Sequence, residues 1–233
     1  MSLSIDVLII GSLYWDPRRQ AWRGLRLRMN EVYDVRARIR YGRRSAGRDD
    51  TYTMVFSEQA AEGRAKVVRC RCDVSTPADL FIEAEYLWAA ERNVAPNGSL
   101  ASDWGCVALL CNPDRTTAQD LASGWVRRVS AEPGYCNIPH ASGERAPVSA
   151  EGLLQISWPV MAGSSEPVPL DLLIATANHP TLVGDSRSYP TPKMIATEWR
   201  TRKAVENNRV EYFQKNVDHG IRTFEDDAIA ESL

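Results

Sequence analysis

The segment from Thr76 to Glu91 carries the strongest folding signal in the chain. Thr76 suits the N-cap of a helix, Pro77 suits its first position, and Asp79 in the first turn favours the positive end of the helix dipole. Apolar residues then recur on one helical face, at Leu80, Phe81, Ala84, Leu87 and Trp88. Such a helix has to pack its apolar face against another layer of structure, so the segments around it decide the fold class.

Strand patterns surround this helix. Residues 5–10 form an apolar run typical of a buried strand, and this run ends at Gly11. Residues 32–41 alternate apolar with charged side chains, which predicts a strand with Arg36, Arg38 and Arg40 on a solvated face and a polar loop over 42–50. Further strands are predicted over 51–56, 65–74 and 104–111. Strands with helices inserted and then appended predict an α+β fold, with residues 1–233 in one domain.

The second half of the chain gives weaker signals. Residues 117–129 predict a helix, 153–159 a strand, and 171–177 a strand or short helix. Thr191 and Pro192 begin a long helix that is expected to reach about Val217. The acidic tail from Thr223 is expected to be frayed or loosely docked.

Composition and targeting signals limit the class of protein. Hydrophobic residues make up 44% and charged residues 25% of the 233, which excludes a disordered, collagen-like or disulfide-scaffold chain. We find no signal peptide and no apolar stretch long enough to cross a bilayer. The five cysteines lack a paired CxxC spacing and are expected to be small buried residues in a reducing cytosol. We therefore expect a cytoplasmic protein with no membrane partner.

Arginines are concentrated near the start of the chain. Eleven arginines and only two acids stand between Pro17 and Arg48, a net charge of +9, whereas the rest of the chain sums to −11. Arginines among aromatic residues could bind nucleic acid, but the sequence pI of about 6.0 and the lack of a recognisable motif argue against that partner. Three scattered histidines make a metal site improbable. Cys136 and His140 form the only suggestive nucleophile neighbourhood, and it is the weaker alternative.

Glu91 is the first candidate for chemistry. If the helix continues unbroken, Glu91 lies only about 20° around the axis from Leu80, within the apolar face. A partly desolvated carboxylate in that position suits a general base. Glu83 and Glu85 lie at the flanks of the face and remain alternatives. A further alternative is that the helix ends near Ala90 and Glu91 points into solvent.

The second candidate is the loop Gly11-Ser12-Leu13. A buried strand that runs into Gly-Ser can turn sharply and present successive N–H groups to an anion. An ordinary turn is the alternative. Arg43 and Arg48 are candidate carboxylate clamps, because they are expected in a loop between strands rather than on a regular exposed face.

These segments together resemble the γ-glutamylcyclotransferase-like superfamily. Residues 10–14, Ile-Gly-Ser-Leu-Tyr, are similar to the Tyr-Gly-Ser-Leu loop that ends the first strand of that family. The strand and turn over 35–43, then Ser45, Arg48, the strands over 51–55 and 63–74, and the helix over 76–91 follow in the family's order. The resemblance covers a core of about 5–112 and the C-terminal helix 191–219, and it leaves 113–190 as an insertion without a counterpart. Ile10 stands where the family has tyrosine, and the helix before Glu91 is longer by about one turn.

The resemblance implies a fold, a reaction and a site. The fold would be a small, mixed, partly closed, barrel-like sheet with peripheral helices. The enzyme would release 5-oxoproline from a small γ-glutamyl amide, with Glu91 as general base and with Gly11, Ser12 and Leu13 binding the substrate. No metal or organic cofactor is implied. The amine leaving group, the oligomeric state and the role of 113–190 stay open, and the Ile10 departure keeps a non-catalytic small-molecule or protein-binding relative as the alternative.

Overall fold

The computed structural model describes residues 2–48, 50–116, 118–132, 135, 137–201 and 209–233. Within these residues the chain forms six α-helices and one eight-stranded sheet, which confirms the α+β class. The strands are β1 (Ile5–Ile9), β2 (Leu27–Ser45), β3 (Thr51–Phe56), β4 (Glu62–Cys70), β5 (Ala101–Ser102), β6 (Gly105–Cys111), β7 (Val160–Met161) and β8 (Leu172–Asn178). The helices are α1 (Gln20–Arg26), α2 (Pro77–Arg92), α3 (Ala118–Val129), α4 (Pro192–Thr201), α5 (Arg209–Asp218) and α6 (Asp226–Ser232).

The sheet is mixed, with strand order β3-β2-β4-β1-β8-β6-β5 and with β7 paired to β2. β1 lies near its centre, antiparallel to β4 and parallel to β8, and all five of its residues are buried. Among the described residues the sheet does not close, because no ladder joins β3 at one edge to β5 at the other. The expected partial closure into a barrel-like sheet is therefore wrong, whereas the mixed sheet with helices outside it is found.

β2 is longer than the alternating pattern indicated. Its first part pairs with β4 and its last part with β3, with an irregular register between Tyr41 and Arg43. Pairing with β3 extends the strand to Ser45, so Arg43 lies on a strand rather than in the predicted loop, and Arg48 lies in a short 3₁₀ turn that follows. Arg40 also departs from the expected solvated face, because its guanidinium pairs with the buried carboxylate of Glu225.

α2 begins and continues as its sequence predicts. The Thr76 hydroxyl accepts from the Asp79 N–H, and the Asp79 carboxylate accepts from the Thr76 N–H, which completes a capping box. The helix runs unbroken to Arg92 and ends at Asn93, whose φ of 58° is left-handed. Glu91 therefore lies inside the last turn of the helix, and the alternative that the helix ends near Ala90 is wrong.

The second half of the chain contributes directly to the sheet. β8, from within 113–190, lies between β1 and β6 in the middle of the sheet. The strand predicted over 153–159 is wrong, since only isolated bridges form at Leu153 and Leu154 before the two-residue β7. Residues 202–208, in the middle of the predicted long helix, lie outside the described residues, which hold its two ends as α4 and α5.

The acidic tail is not frayed. It forms α6, which packs against α4 and buries Ile229 completely. The Thr223 N–H and hydroxyl both donate to Asp226, which fixes the start of this helix. Among the described residues no helix is both long and apolar enough to cross a membrane.

Candidate functional site

A small pocket lies beyond the end of β1, and we call it the inner pocket. Segments that are distant in sequence build it: the loop after β1, the ends of β2 and β8, β3, the last turn of α2, and α5. Its lining consists of Ile9, Ile10, Gly11, Ser12, Leu13, Arg43, Ser45, Arg48, Thr53, Met54, Glu91, Thr176, Asn178 and Tyr212. This set includes all six site residues suggested by the sequence: Gly11, Ser12, Leu13, Arg43, Arg48 and Glu91.

The loop after β1 forms one rim of the inner pocket. The Tyr14 N–H donates to the Gly11 carbonyl at 3.1 Å, and the Asp16 N–H donates to the Ser12 carbonyl at 2.8 Å. This curl leaves the N–H groups of Ser12 and Leu13 without an acceptor among the described residues. Two neighbouring free N–H groups at a pocket wall can receive a carboxylate or carbonyl oxygen of a ligand.

Arg48 holds this loop through side chains. One guanidinium nitrogen of Arg48 donates to the Ser12 hydroxyl at 2.9 Å and to the buried carboxylate of Asp16. Burial raises the pKa of Asp16, but hydrogen bonds from Arg18 and Arg48 outweigh burial and hold that pKa well below its ordinary value. Asp16 thus stays ionised and keeps Arg48 in place.

Glu91 enters the inner pocket from α2 as a half-buried side chain. The Thr176 hydroxyl on β8 lies 3.5 Å from one of its carboxylate oxygens. The Glu91 backbone carbonyl accepts from Arg19 at 3.1 Å, which ties the last turn of α2 to the segment that follows the loop. Thr176 thus contacts the side chain and Arg19 holds the backbone of Glu91, while no described cation forms a salt bridge with its carboxylate.

Arg43 is the second cation of the inner pocket. Its guanidinium carbon lies 4.4 Å from the centre of the Trp104 ring, a cation–π contact. Burial lowers the pKa of Arg43, and the negative charge of Glu91 opposes that shift. A desolvated guanidinium can bind an incoming anion strongly, because little water screens the attraction between the guanidinium and that anion.

The two alternative glutamates lie elsewhere. Glu83 is buried in an ion pair with Arg26, and Glu85 accepts from the backbone N–H of Gly98. Neither of them lines the inner pocket. Of the four carboxylates on α2, only Glu91 shares a cavity with the Gly11 to Leu13 loop.

A second, larger space, the outer cavity, adjoins the inner pocket and has a volume of about 550 Å³. The two spaces share five lining residues: Ser12, Arg43, Ser45, Arg48 and Glu91. Glu91 therefore lies where they meet. Burial, followed by the charge of Arg43, lowers the pKa of His179 in the outer cavity, so its imidazole is neutral at pH 7.

Sequence reasoning missed several residues of this site. Thr176 and Asn178 lie on β8, in the stretch without a counterpart, and the Asn178 side-chain oxygen is buried without a partner among the described residues. Tyr212 lies on the C-terminal helix, and burial raises its pKa so that it remains a neutral phenol. The mostly apolar sequence of β8 gave no hint of ligand contact. Asp16 could have been noticed in the sequence, because it is an acid directly before Pro17 and the arginines that follow it.

Other kinds of site find little support in the described residues. No group of three or more His, Cys, Asp or Glu side chains there is placed to hold a metal ion. Cys136, of the suggested nucleophile pair, lies outside the described residues, and His140 does not line either space around Glu91. Comparisons with protein-family models, curated proteins and solved structures found no match to this chain.

Proposed function

We propose that this chain is a cyclotransferase that releases 5-oxoproline from a γ-glutamyl amide. The observation that carries the proposal is that Glu91, Ser12 and Leu13 line one pocket together with two arginines, and that the N–H groups of Ser12 and Leu13 have no acceptor among the described residues. An α-amino acid head group needs an acceptor for its ammonium and donors for its carboxylate. The inner pocket offers both kinds of group within one small volume.

The reaction follows from these groups. The Glu91 carboxylate accepts a proton from the substrate α-ammonium, and the freed amine attacks the γ-amide carbonyl carbon. A C–N bond forms within the substrate, and the ring nitrogen gives up a second proton as it becomes the lactam N–H. The original amide C–N bond breaks, and the departing amine takes up both protons, one of them from Glu91, and leaves as an ammonium ion. Ring closure is intramolecular, so the protein contributes mainly by folding the substrate and supplying one base.

In this proposal Arg43 and the Gly11 to Leu13 loop bind different parts of the substrate. Arg43 pairs with the α-carboxylate, since it is desolvated and lacks an ion-pair partner among the described residues. The N–H groups of Ser12 and Leu13 stabilise the oxygen of the γ-carbonyl as negative charge develops on it. Arg48 acts through Ser12 and Asp16, whose positions it fixes.

The test is the product formed from a panel of γ-glutamyl dipeptides, γ-glutamylamines and glutathione. We expect 5-oxoproline and the free amine in equal amounts from at least one member. Release of glutamate instead would indicate a hydrolase. Saturable binding of a panel member without any product would favour the non-catalytic binding relative, and salt-dependent retention on RNA or heparin alone would favour the nucleic-acid alternative.

A further inference from the structure

The outer cavity carries far more positive charge than an amino acid head group requires. Six arginines line it against two acids, Glu91 and Asp103. The six are Arg18, Arg19, Arg43, Arg44, Arg48 and Arg92. Clustered guanidinium groups around one space repel one another unless acids or a ligand compensate them.

Internal acids compensate only part of this charge. Arg18 and Arg48 share the single carboxylate of Asp16, and Arg44 pairs with Glu198 at 2.9 Å. Arg19, Arg43 and Arg92 form no ion pair with any described residue. Arg43 is assigned to the α-carboxylate of the glutamyl half in the proposed function, which leaves Arg19 and Arg92 for a second anion. The cavity therefore keeps a positive excess beside Glu91.

Arg19 indicates that this excess is directed at a ligand. Its side chain is buried, with the residue only 9% exposed, yet its Nη1 atom has no hydrogen-bond partner among the described residues. Its Nη2 atom is occupied by the Glu91 carbonyl at 3.1 Å. Burial lowers the pKa of Arg19, which reflects the cost of holding that charge away from water. Because Arg19 also lines the outer cavity, an anion bound there would offset the cost of its desolvated charge.

We propose that the outer cavity binds a dianionic group, either a phosphate or a pair of carboxylates, on the amine half of the substrate. This inference rests on the proposed function, in which the glutamyl half occupies the inner pocket. The two spaces meet at Glu91, so a scissile amide beside Glu91 places the departing amine in the outer cavity. The guanidinium fork matches the oxygen spacing of both phosphate and carboxylate.

Three substrates test the proposal at constant ionic strength. The amine half is uncharged in γ-glutamylethylamide and dianionic in γ-glutamyl-aspartate and N-γ-glutamyl-phosphoethanolamine. We expect kcat/KM for at least one dianionic substrate to exceed that of the ethylamide by about tenfold or more, the size of one charge-assisted contact. Comparison of the two dianions distinguishes paired carboxylates from phosphate. Equal kcat/KM across the three would overturn the proposal.

Arginine variants locate the effect. Arg19→Gln is expected to reduce the preference for the dianion severalfold, and Arg92→Gln, at an exposed position, does the same if Arg19→Gln fails to fold. Arg127→Gln, an exposed arginine on α3 away from the cavity, is the matched control and is expected to keep the preference. A preference that is equally strong in all three variants would also overturn the proposal.

Calorimetric titration of the wild-type protein with inorganic phosphate, against matched chloride, separates this inference from the proposed function. Phosphate binding that weakens in Arg19→Gln or Arg92→Gln supports the anion site even if no substrate yields 5-oxoproline, in which case the function alone fails. Turnover without charge preference and without phosphate binding leaves the function standing and removes the anion site.

Discussion

Gly11 leaves room for the hydroxyl group of Tyr212, which closes one side of the inner pocket. A Cβ atom at this position would lie 2.8 Å from the Tyr212 hydroxyl oxygen, closer than such atoms approach in proteins. Tyr212 is held by its neighbours, since its ring packs against Trp15 and lies beneath the Arg48 guanidinium. The absence of a side chain at residue 11 therefore decides where the tyrosine hydroxyl can lie.

Gly11→Ala is expected to lower the free energy of unfolding by about 1–3 kcal/mol, the usual cost of overpacking, and to lower kcat/KM because the loop or Tyr212 must shift. Urea unfolding and the 5-oxoproline assay measure the two effects. Gly24→Ala is the control: nothing lies within 4 Å of its Cβ, and alanine in α1 is expected to add about 0.5–1 kcal/mol. A Gly11→Ala protein as stable and active as wild type would show that the contact with Tyr212 is not made.

Asp6 is an acid in an unfavourable position. It is fully buried in the middle of β1, and neither carboxylate oxygen has a partner among the described residues. Burial raises the pKa of Asp6 from 3.8 to about 7, with Arg69 only partly offsetting the effect. The folded protein therefore holds this proton more tightly than the unfolded chain does.

Stability should fall as pH rises through this range. Between the ordinary pKa and about 7 the folded state binds the extra proton, so Asp6 costs up to roughly 1.4 kcal/mol for each pH unit. Asp6→Asn removes this cost, and we expect its stability to rise relative to wild type between pH 5 and pH 8 in urea unfolding. Asp114→Asn, at an exposed position, should follow the wild-type profile. Parallel profiles for Asp6→Asn and wild type would contradict the assignment.

At the scale of single residues, the sequence indicates which side chains are candidates for chemistry but not which of them meet in the fold. The helical spacing of α2 puts Glu91 on its buried face, and helical spacing is a local property of the sequence. The contact of Tyr212 with Gly11, and of Arg48 with Asp16, depends on chain segments whose approach no local pattern encodes.

Among the elements, α6 shows how a tail that looks polar can dock. The two acids at its start are used internally: Glu225, at the N-cap, pairs with Arg40, and Asp226 accepts from Thr223. Ile229 is then buried completely in the main core.

Ile229→Ala is expected to lower the free energy of unfolding by about 2–5 kcal/mol, because it leaves a cavity in the core. Thermal or urea unfolding measures the change. Ile82→Ala on α2 is the control, since that side chain is 47% exposed and its loss should cost much less. Equal, small effects for both variants would mean that the tail is loosely docked after all.

Elements with strong local signals were predictable, and those that depend on distant partners were not. The cap residues and apolar spacing predicted α2. The strand predicted over 51–56 is β3, with the same bounds. By contrast, the extension of β2 to Ser45 depends on pairing with β3, and the docking of α6 depends on Arg40. The place of β8 between β1 and β6 is a property of the whole sheet.

For the whole molecule, the charge asymmetry of the sequence has a structural counterpart. Several arginines of the basic segment pair with acids from other parts of the chain: Arg26 with Glu83, Arg36 with Glu62, Arg40 with Glu225 and Arg44 with Glu198. Of the arginines in this segment without an acid partner, Arg19 and Arg43 line the cavity around Glu91, whereas Arg23 and Arg38 donate to backbone carbonyls. The distribution favours a confined anion site over a continuous track for a polyanion.

In the proposed function Glu91 is the base for ring closure, and 5-oxoproline release by the Glu91→Gln variant measures this role. Glutamine keeps the shape of the side chain but cannot take up the proton. We expect kcat to fall by on the order of 100-fold or more, the usual contribution of a positioned base, with folding unchanged by circular dichroism. Glu85→Gln on the same helix, outside both spaces, should retain wild-type kcat. Full activity of Glu91→Gln would contradict the account.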